Sequence, residues 1–347
     1  MPSETPEFIE DLVEWYQGVR RTLPWRTSRD PYRIWISEVM LQQTTVAAVI
    51  PYYDRFMTRF PALATLAASS VEDVLEYWAG LGYYSRARNL HRAAQALQEK
   101  VGEGGAFPET HVELLEYSGF GDYTARAVSS LAFGERVGVL DGNVIRVISR
   151  VEGRRSEWWK PAERKILQAR ADAWAAEKRC DPSDINQAMM ELGATICTPK
   201  SPSCMLCPLR NSCVAYQHRT GKLSPSALPL ARPRRTLEIW HWKPEVTLKR
   251  GAVRLIKNDY APFLKGHWIL PGTATLKTTK PKLFHLRGSV THHDIYVELP
   301  AKNQNTSIRS RPSSTNECWI PLQNLKAKIP SSLIRKAIDT TLNLRTK

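Results

Sequence analysis

Apolar residues recur at helical intervals from residue 7 to about residue 195. In the stretch 7–19, Phe8, Ile9, Leu12, Val13, Trp15, Tyr16 and Val19 alternate in blocks with Glu7, Glu10, Asp11 and Glu14, and the run ends near Gly18. This is the spacing of a helix with one buried face. The same spacing predicts helices over 37–50, 51–60, 71–79, 84–99, 111–117, 122–133, 142–152, 161–178 and 184–196, mostly separated by breaks containing Gly, Pro or Ser. Residues 218–235 are instead rich in proline and basic residues, a composition typical of linkers. Beyond them the period shortens towards two. Ala252-Val253-Arg254-Leu255-Ile256-Lys257 and Asp294-Ile295-Tyr296-Val297-Glu298-Leu299 predict strands, and 331–343 a closing helix. The expected organisation is a mainly α domain over 1–217, a linker over 218–235 and a small α+β domain over 236–347, with no internal repeat.

Length and charge sharpen this division. A chain of 347 residues holds two cores, and no apolar run approaches the ~20 residues that cross a bilayer, so no membrane role is expected. The opening residues Met1-Pro2-Ser3-Glu4-Thr5-Pro6 are acidic and polar, unlike a signal peptide, which points to a reducing, cytoplasmic setting. The formal net charge is +15, but residues 221–347 carry 23 Lys and Arg against 7 Asp and Glu, and residues 1–220 carry 26 against 27. The excess positive charge therefore lies wholly in the second part, as expected of a grip on a polyanion or of a solubilising surface. The first part must bind through local geometry.

Four of the six cysteines, Cys197, Cys204, Cys207 and Cys213, form a C-x6-C-x2-C-x5-C run, while Cys180 and Cys318 stand alone. Thiolates so close in sequence converge on one centre only if the backbone wraps around it, and Pro199, Pro202 and Pro208 supply turns. Thiolate-only ligation leaves zinc or a [4Fe-4S] cluster. A zinc ribbon usually has two C-x2-C knuckles, and only Cys204 and Cys207 have that spacing, which favours iron-sulfur. Earlier in the chain, Gly119-Phe120-Gly121 separates two helical segments. A G-x-G turn that opens a helix aims backbone amides and the positive end of a helix dipole outward, an arrangement suited to a phosphate, although an ordinary helix-helix turn has the same sequence.

Together, the hairpin, Val139-Leu140-Asp141-Gly142-Asn143-Val144-Ile145-Arg146 and the cysteine loop resemble the helix-hairpin-helix DNA glycosylases that carry an iron-sulfur cluster. Within that superfamily the chain is similar to the adenine glycosylases that act on adenine opposite 8-oxoguanine. The similarity rests on Leu23-Pro24-Trp25-Arg26, Trp35 to Thr44, Gly80 to Leu90 and Asn186 to Ala194. One [4Fe-4S] cluster held by the four cysteines is the cofactor that this resemblance implies. The implied partner is double-stranded DNA containing A:8-oxoguanine or A:G mispairs, bound by a monomer, in a cytoplasmic, nucleoid-associated setting.

Breaking an N-glycosidic bond needs a proton for the departing base and negative charge near an oxocarbenium-like sugar. Glu38, among Trp35, Val39, Met40 and Leu41, is placed to have a raised pKa, and Asp141 stands at a helix start; a surface glutamate and a helix-capping aspartate are the alternatives. The resemblance makes Glu38 the acid for the base and Asp141 the stabiliser of the sugar cation, with Tyr123 and Asn143 as supports. Related enzymes that also cut the strand have a lysine where this chain has Tyr123, so a monofunctional enzyme is expected. Gln42, Gln43, Tyr83, Gly119, Gly121, Gln187 and Glu191 are the implied DNA contacts.

In the second domain, Gly266-His267-Trp268-Ile269-Leu270-Pro271-Gly272 is similar to the Trp-x-x-Pro-Gly segment of Nudix-like domains. Residues 273–280 have no carboxylate to hold magnesium, which argues against a diphosphatase. The family reads 8-oxoguanine through a Phe-Ser-His loop, for which this chain has Val290-Thr291-His292; Thr291 and His292 are the expected contacts. Tyr117-Ser118 likewise replaces the family's usual Leu-Pro in the hairpin, so altered packing is expected there. The rival readings are a glycosylase for another lesion and a non-catalytic iron-sulfur DNA-binding protein.

Overall fold

A run of amphipathic helices needs partners for its apolar faces, and in the computed structural model the helices find them in two separate cores. The structure describes residues 7–102, 106–218, 220–233, 236–300, 316–325, 329 and 331–346; the expected linker and second domain run partly through residues outside these ranges. The chain divides into two compact units, Met1–Arg232 and Pro233–Lys347. Among the described residues no helix is long and apolar enough to cross a membrane.

In the first unit, one core gathers side chains from residues 23–131 around Trp35, Phe56, Phe60 and Trp78, and it involves helices Pro31–Leu41, Val46–Arg59, Leu63–Ala68, Val71–Trp78, Ser85–Gly102, His111–Leu115 and Asp122–Phe133. The other core joins helix Ile9–Val19 to Gly142–Val151, Pro161–Ala175 and Pro182–Thr195 around Ile148, Trp174 and Leu192. The amino-terminal helix thus packs far from its sequence neighbours. Its apolar stripe, Ile9, Leu12, Val13 and Tyr16, is completed only by residues more than a hundred positions later.

Helix Pro31–Leu41 is the axis of the first core. Asp30 caps it by accepting from the Tyr32 and Arg33 amides at 2.9 and 3.4 Å, and Pro31 occupies a first-turn position where its missing N–H leaves no bond unmade. Every residue from Tyr32 to Met40 except Arg33 is buried, and Trp35 stacks on Phe120 with centroids 4.7 Å apart. The helix expected over 37–50 breaks at Gln42–Thr45, where Gln43 adopts a left-handed φ of 59°. Arg86 explains the break. Its guanidinium donates to the carbonyls of Val39 (2.7 Å), Met40 (3.1 Å) and Gln42 (2.7 Å), satisfying the helix end with a cation where the dipole is negative. Pro51, expected to start a new helix, lies inside Val46–Arg59, and exposure of Ala47 lets water meet the carbonyl that proline leaves unpaired.

Part of the segment read as a linker packs on the first unit. Leu228 is buried, its carbonyl accepts from Arg150 Nε at 3.0 Å, and the Leu230 carbonyl accepts from Trp158 Nε1 at 3.0 Å.

The second unit is α+β. Its strands are β1 (Glu238–Pro244), β2 (Leu248–Lys249), β3 (Ala252–Lys257), β4 (Trp268–Ile269), β5 (Gly272–Lys277), β6 (Leu286–Val290), β7 (His293–Val297) and β8 (Glu317–Pro321). They form a sheet of order β5-β1-β7-β6, in which only β1 and β7 run parallel, and a second sheet in which β3 pairs with β2, β4 and β8. Helix Ser332–Thr346 covers the first sheet closely: a Cβ on Gly288 in β6 would lie 2.7 Å from Leu333 Cδ1. Trp242, Phe263, Ile295 and Ile338 fill the core between.

In the Gly119-Phe120-Gly121 turn, Gly119 has φ +126°, and a Cβ there would sit 2.8 Å from the Asn89 carbonyl oxygen. Gly119→Ala is therefore expected to lose ~1–3 kcal/mol of stability, the scale of a side chain forced into a glycine-only conformation. A urea unfolding midpoint equal to that of the unaltered chain would refute this.

Candidate functional site

The two cores of the first unit flank a cleft of about 1030 Å³. Glu38, Tyr123, Asp141, Asn143, Gln42, Gln43, Gln187 and Glu191 all line it, so residues from four separate stretches of sequence meet there. Tyr83, Gly119 and Gly121 do not line it. Tyr83 is 57% exposed with φ 50°, so it is no core aromatic. Left-handed, solvent-facing residues such as Tyr83 and Gln43 carry a backbone cost that stability alone does not explain.

Glu38 is buried, with 5% exposure. Burial pushes its pKa up to about 7; the Tyr123 hydroxyl, which donates to Oε2 at 2.7 Å, opposes the rise, and the charge of Asp141 adds to it. Tyr123 is itself held well above the usual phenol range by burial and stays a hydroxyl donor. Asp141 is the amino-terminal cap of helix Gly142–Val151. Burial raises its pKa too, but its carboxylate accepts from the Val144 amide at 2.7 Å and from Asn143 Nδ2 at 2.9 Å, and both bonds favour the charged form. Two neighbouring carboxyls therefore differ in hydrogen bonding: Glu38 has one hydroxyl donor, and Asp141 has amide donors at a helix terminus. With a pKa near 7, Glu38 keeps a proton on part of its population at neutral pH, beside a carboxyl whose hydrogen bonds favour its charged form.

Asn143 is held in turn. Arg146 Nη2 donates to its Oδ1 at 2.8 Å and to the Gly193 carbonyl at 2.7 Å, and Arg146 Nε donates to the Cys197 carbonyl at 2.7 Å. One turn later, Arg150 donates to Cys197 Sγ at 3.3 Å and to the Thr198 and Pro199 carbonyls at 2.8 and 3.1 Å. Sequence analysis missed both arginines. Their signal was present: Arg146 and Arg150 stand four apart on a helix whose other positions from Val144 to Val151 are nearly all apolar, and both are buried. A cation on a buried face needs acceptors, here the wall of the cysteine loop.

The other cleft residues are engaged as follows. Glu191 is fully buried and clamped by Arg21 (2.5 and 3.0 Å) and Arg26 (2.9 Å), which hold its carboxyl below the usual range despite burial. Gln187 accepts from the Tyr16 hydroxyl at 3.1 Å, and Gln42 Nε2 donates to Thr124 at 3.1 Å.

Cys197, Cys204, Cys207 and Cys213 line one small apolar pocket with Val147, Val151, Leu192 and Ile196. Burial pushes the Cys207 thiol up to about 12 and raises Cys213, and the neighbouring sulfurs add to both. Four sulfurs gathered in one apolar pocket fit a positively charged centre, which supplies the charge that makes them thiolates. The Arg150 hydrogen bond to Cys197 fits such a centre as an outer support.

In the second unit, Thr291 and His292 form the two-residue loop between β6 and β7, with Val290 opposite His293 and Thr291 at φ 55°. Both are exposed at least in part.

Two helical cores flanking a cleft, a glycine turn and a four-cysteine loop make up the first unit. Residues 36–176 match the model of the HhH-GPD superfamily base excision DNA repair protein. Its curated relatives include the adenine DNA glycosylase of Mus musculus, 42% identical over 246 residues (65% of this chain, 45% of the relative), and that of Arabidopsis thaliana, 36% identical over 310 residues (78% of this chain, 48% of the relative). The chain thus spans about half the length of these relatives. Among solved structures it is similar to a thermostable thymine-DNA glycosylase, with a TM-score of 0.53 and 29% identity over 60% of this chain and 95% of that one.

Gly193 is a pressure point of the site. A Cβ there would lie 2.5 Å from Asn143 Cβ. Gly193→Ala is expected to cost ~1–3 kcal/mol of stability through overpacking, read as a lower unfolding midpoint; an unchanged midpoint would remove the close approach from this account.

Proposed function

We propose that the chain is a monofunctional DNA glycosylase that hydrolyses the N-glycosidic bond of adenine mispaired with 8-oxoguanine or guanine. The observation that carries the reading is the pairing of a buried carboxyl with a pKa near 7, Glu38, and a hydrogen-bonded carboxylate, Asp141, in one cleft.

Adenine reaches the cleft only after leaving the base stack. Glu38 then delivers its proton to adenine N7, the C1′–N9 bond breaks with its electron pair going to the base, and the Asp141 carboxylate stabilises the cationic sugar. Water adds to C1′ and gives up a proton, leaving an abasic site. Tyr123 orients Glu38 by its hydrogen bond, and Asn143 orients Asp141. Among the described residues no lysine lines the cleft, in keeping with base release without strand cutting by a Schiff-base route. The left-handed Gln43 and Tyr83, with Gln42, are assigned to the gap left in the duplex, and Gly119 and Gly121 to a phosphate. Gln187 borders the base, while Glu191 serves through Arg21 and Arg26. Thr291 and His292 are assigned to the oxidised guanine. The basic excess of residues 221–347 adds phosphate contacts that weaken steeply with salt.

Cys197, Cys204, Cys207 and Cys213 would hold one [4Fe-4S] cluster, which supplies a covalent cross-link of the loop and a charged centre, not a step in base release. Iron analysis of the purified chain is expected to give about four atoms per chain, lost in Cys207→Ser; zinc in its place would overturn the assignment.

Glu38→Gln is expected to abolish base release from an A:8-oxoguanine duplex while leaving DNA binding near its original strength. In the unaltered chain the protonated fraction of Glu38 falls as pH rises through about 7, so the single-turnover rate is expected to fall about tenfold per pH unit well above that point. A rate that stays flat to pH 9, or a fully active Glu38→Gln, would remove Glu38 as the acid. Faster release of thymine from a G:T duplex than of adenine would move the chain to a different substrate class, and binding without any base release would make it a non-catalytic DNA-binding protein.

A further inference from the structure

We propose that the second unit carries a divalent transition-metal site, of the kind that takes zinc, built from Glu238, His292 and His293. One ligand atom from each of the three side chains lies within 4.8 Å of the others. His293 Nε2 is 3.5 Å and His292 Nε2 3.9 Å from the Glu238 carboxylate oxygens. These separations are longer than a charge-assisted hydrogen bond, at about 2.7–2.9 Å. They are close instead to the ~3.4 Å edge of a tetrahedron whose centre binds nitrogen and oxygen at about 2.0–2.2 Å.

The surroundings prepare each donor. His293 is buried, and its Nδ1 faces the Val290 carbonyl at 3.2 Å. The Thr291 hydroxyl lies 3.3 Å from the same nitrogen; a proton on Nδ1 donated to the Val290 carbonyl is the tautomer that frees Nε2 for a metal. Glu238 is oriented by Trp240 Nε1, which donates to Oε2 at 3.0 Å, and its amide donates to the His292 carbonyl at 3.0 Å, tying the start of β1 to the loop. The two imidazoles lie 4.0 Å apart at their centroids, on adjacent residues of a turn whose first residue, Thr291, has a left-handed φ of 55° that a β-branched side chain disfavours. Two imidazoles and a carboxylate suit zinc, nickel or copper better than magnesium or calcium, which prefer all-oxygen shells. Three protein ligands leave a fourth position for water. The site shares His292 with the loop assigned above to the oxidised guanine and lies in a different unit from Glu38 and Asp141.

The test is calorimetric titration of the full chain, purified with its cysteine loop occupied and freed of loose metal by a chelator, with zinc chloride. One bound equivalent is expected, weakened about tenfold or more by His292→Ala and by Glu238→Gln, both at positions exposed enough to leave the fold intact. Zinc-edge X-ray absorption of the loaded, unaltered chain should give a nitrogen and oxygen shell with imidazole scattering, a readout that holds even if a variant fails to fold. Absence of a bound equivalent, an affinity that neither substitution changes, or sulfur in the shell would each overturn the proposal.

Discussion

The first unit depends on a single asymmetry: two carboxyls share one cleft, and the hydrogen bonds around them differ. Glu38 sits deep on a helix buried almost on every side, so its charged form loses hydration and has the Tyr123 hydroxyl and the charge of Arg26 in partial return. Asp141 sits at a helix start, where the Val144 amide and the Asn143 side chain replace the water it gives up. Burial raises both. The bonds at the helix terminus favour the charged form of Asp141 and so set its surroundings apart from those of Glu38.

That terminus is held from behind. Asn143 is gripped by Arg146, Arg146 also grips the Gly193 and Cys197 carbonyls, and Arg150 reaches the sulfur of Cys197. The cysteine loop and the cap at Asp141 therefore hang from opposite ends of the same ten-residue helix, Gly142–Val151. A charged centre held by the loop would fix the carbonyls that the arginines bind, and the arginines hold the cap through Asn143. The loop can matter to the cleft without touching a substrate.

Much of this was readable along the chain. Helix spacing located most of the elements of the first unit, and the change of period located the strands of the second. The four cysteines announced a common centre by spacing alone. Sequence reading erred where a distant side chain decided a local matter. The break at Gln42–Thr45 is met by the Arg86 guanidinium, more than forty residues away, and Pro51 lies within a helix, four residues after the exposed Ala47. Arg146 and Arg150 were visible as cations on an apolar face, but their acceptors lie some fifty positions later.

By itself the sequence determined which groups this protein has to work with: a glutamate in an apolar setting, an aspartate at a helix start, a tyrosine where a lysine could have stood, and a thiol cluster. Each is a local property, set by neighbours within a turn or two. Only the tertiary structure decided that Glu38 and Asp141 face one cavity, that Tyr83 is exposed, and that Glu238 meets two histidines. Those are relations between residues tens to hundreds of positions apart. They follow from how helices and strands bury their apolar faces against one another, which periodicity within a single segment does not encode.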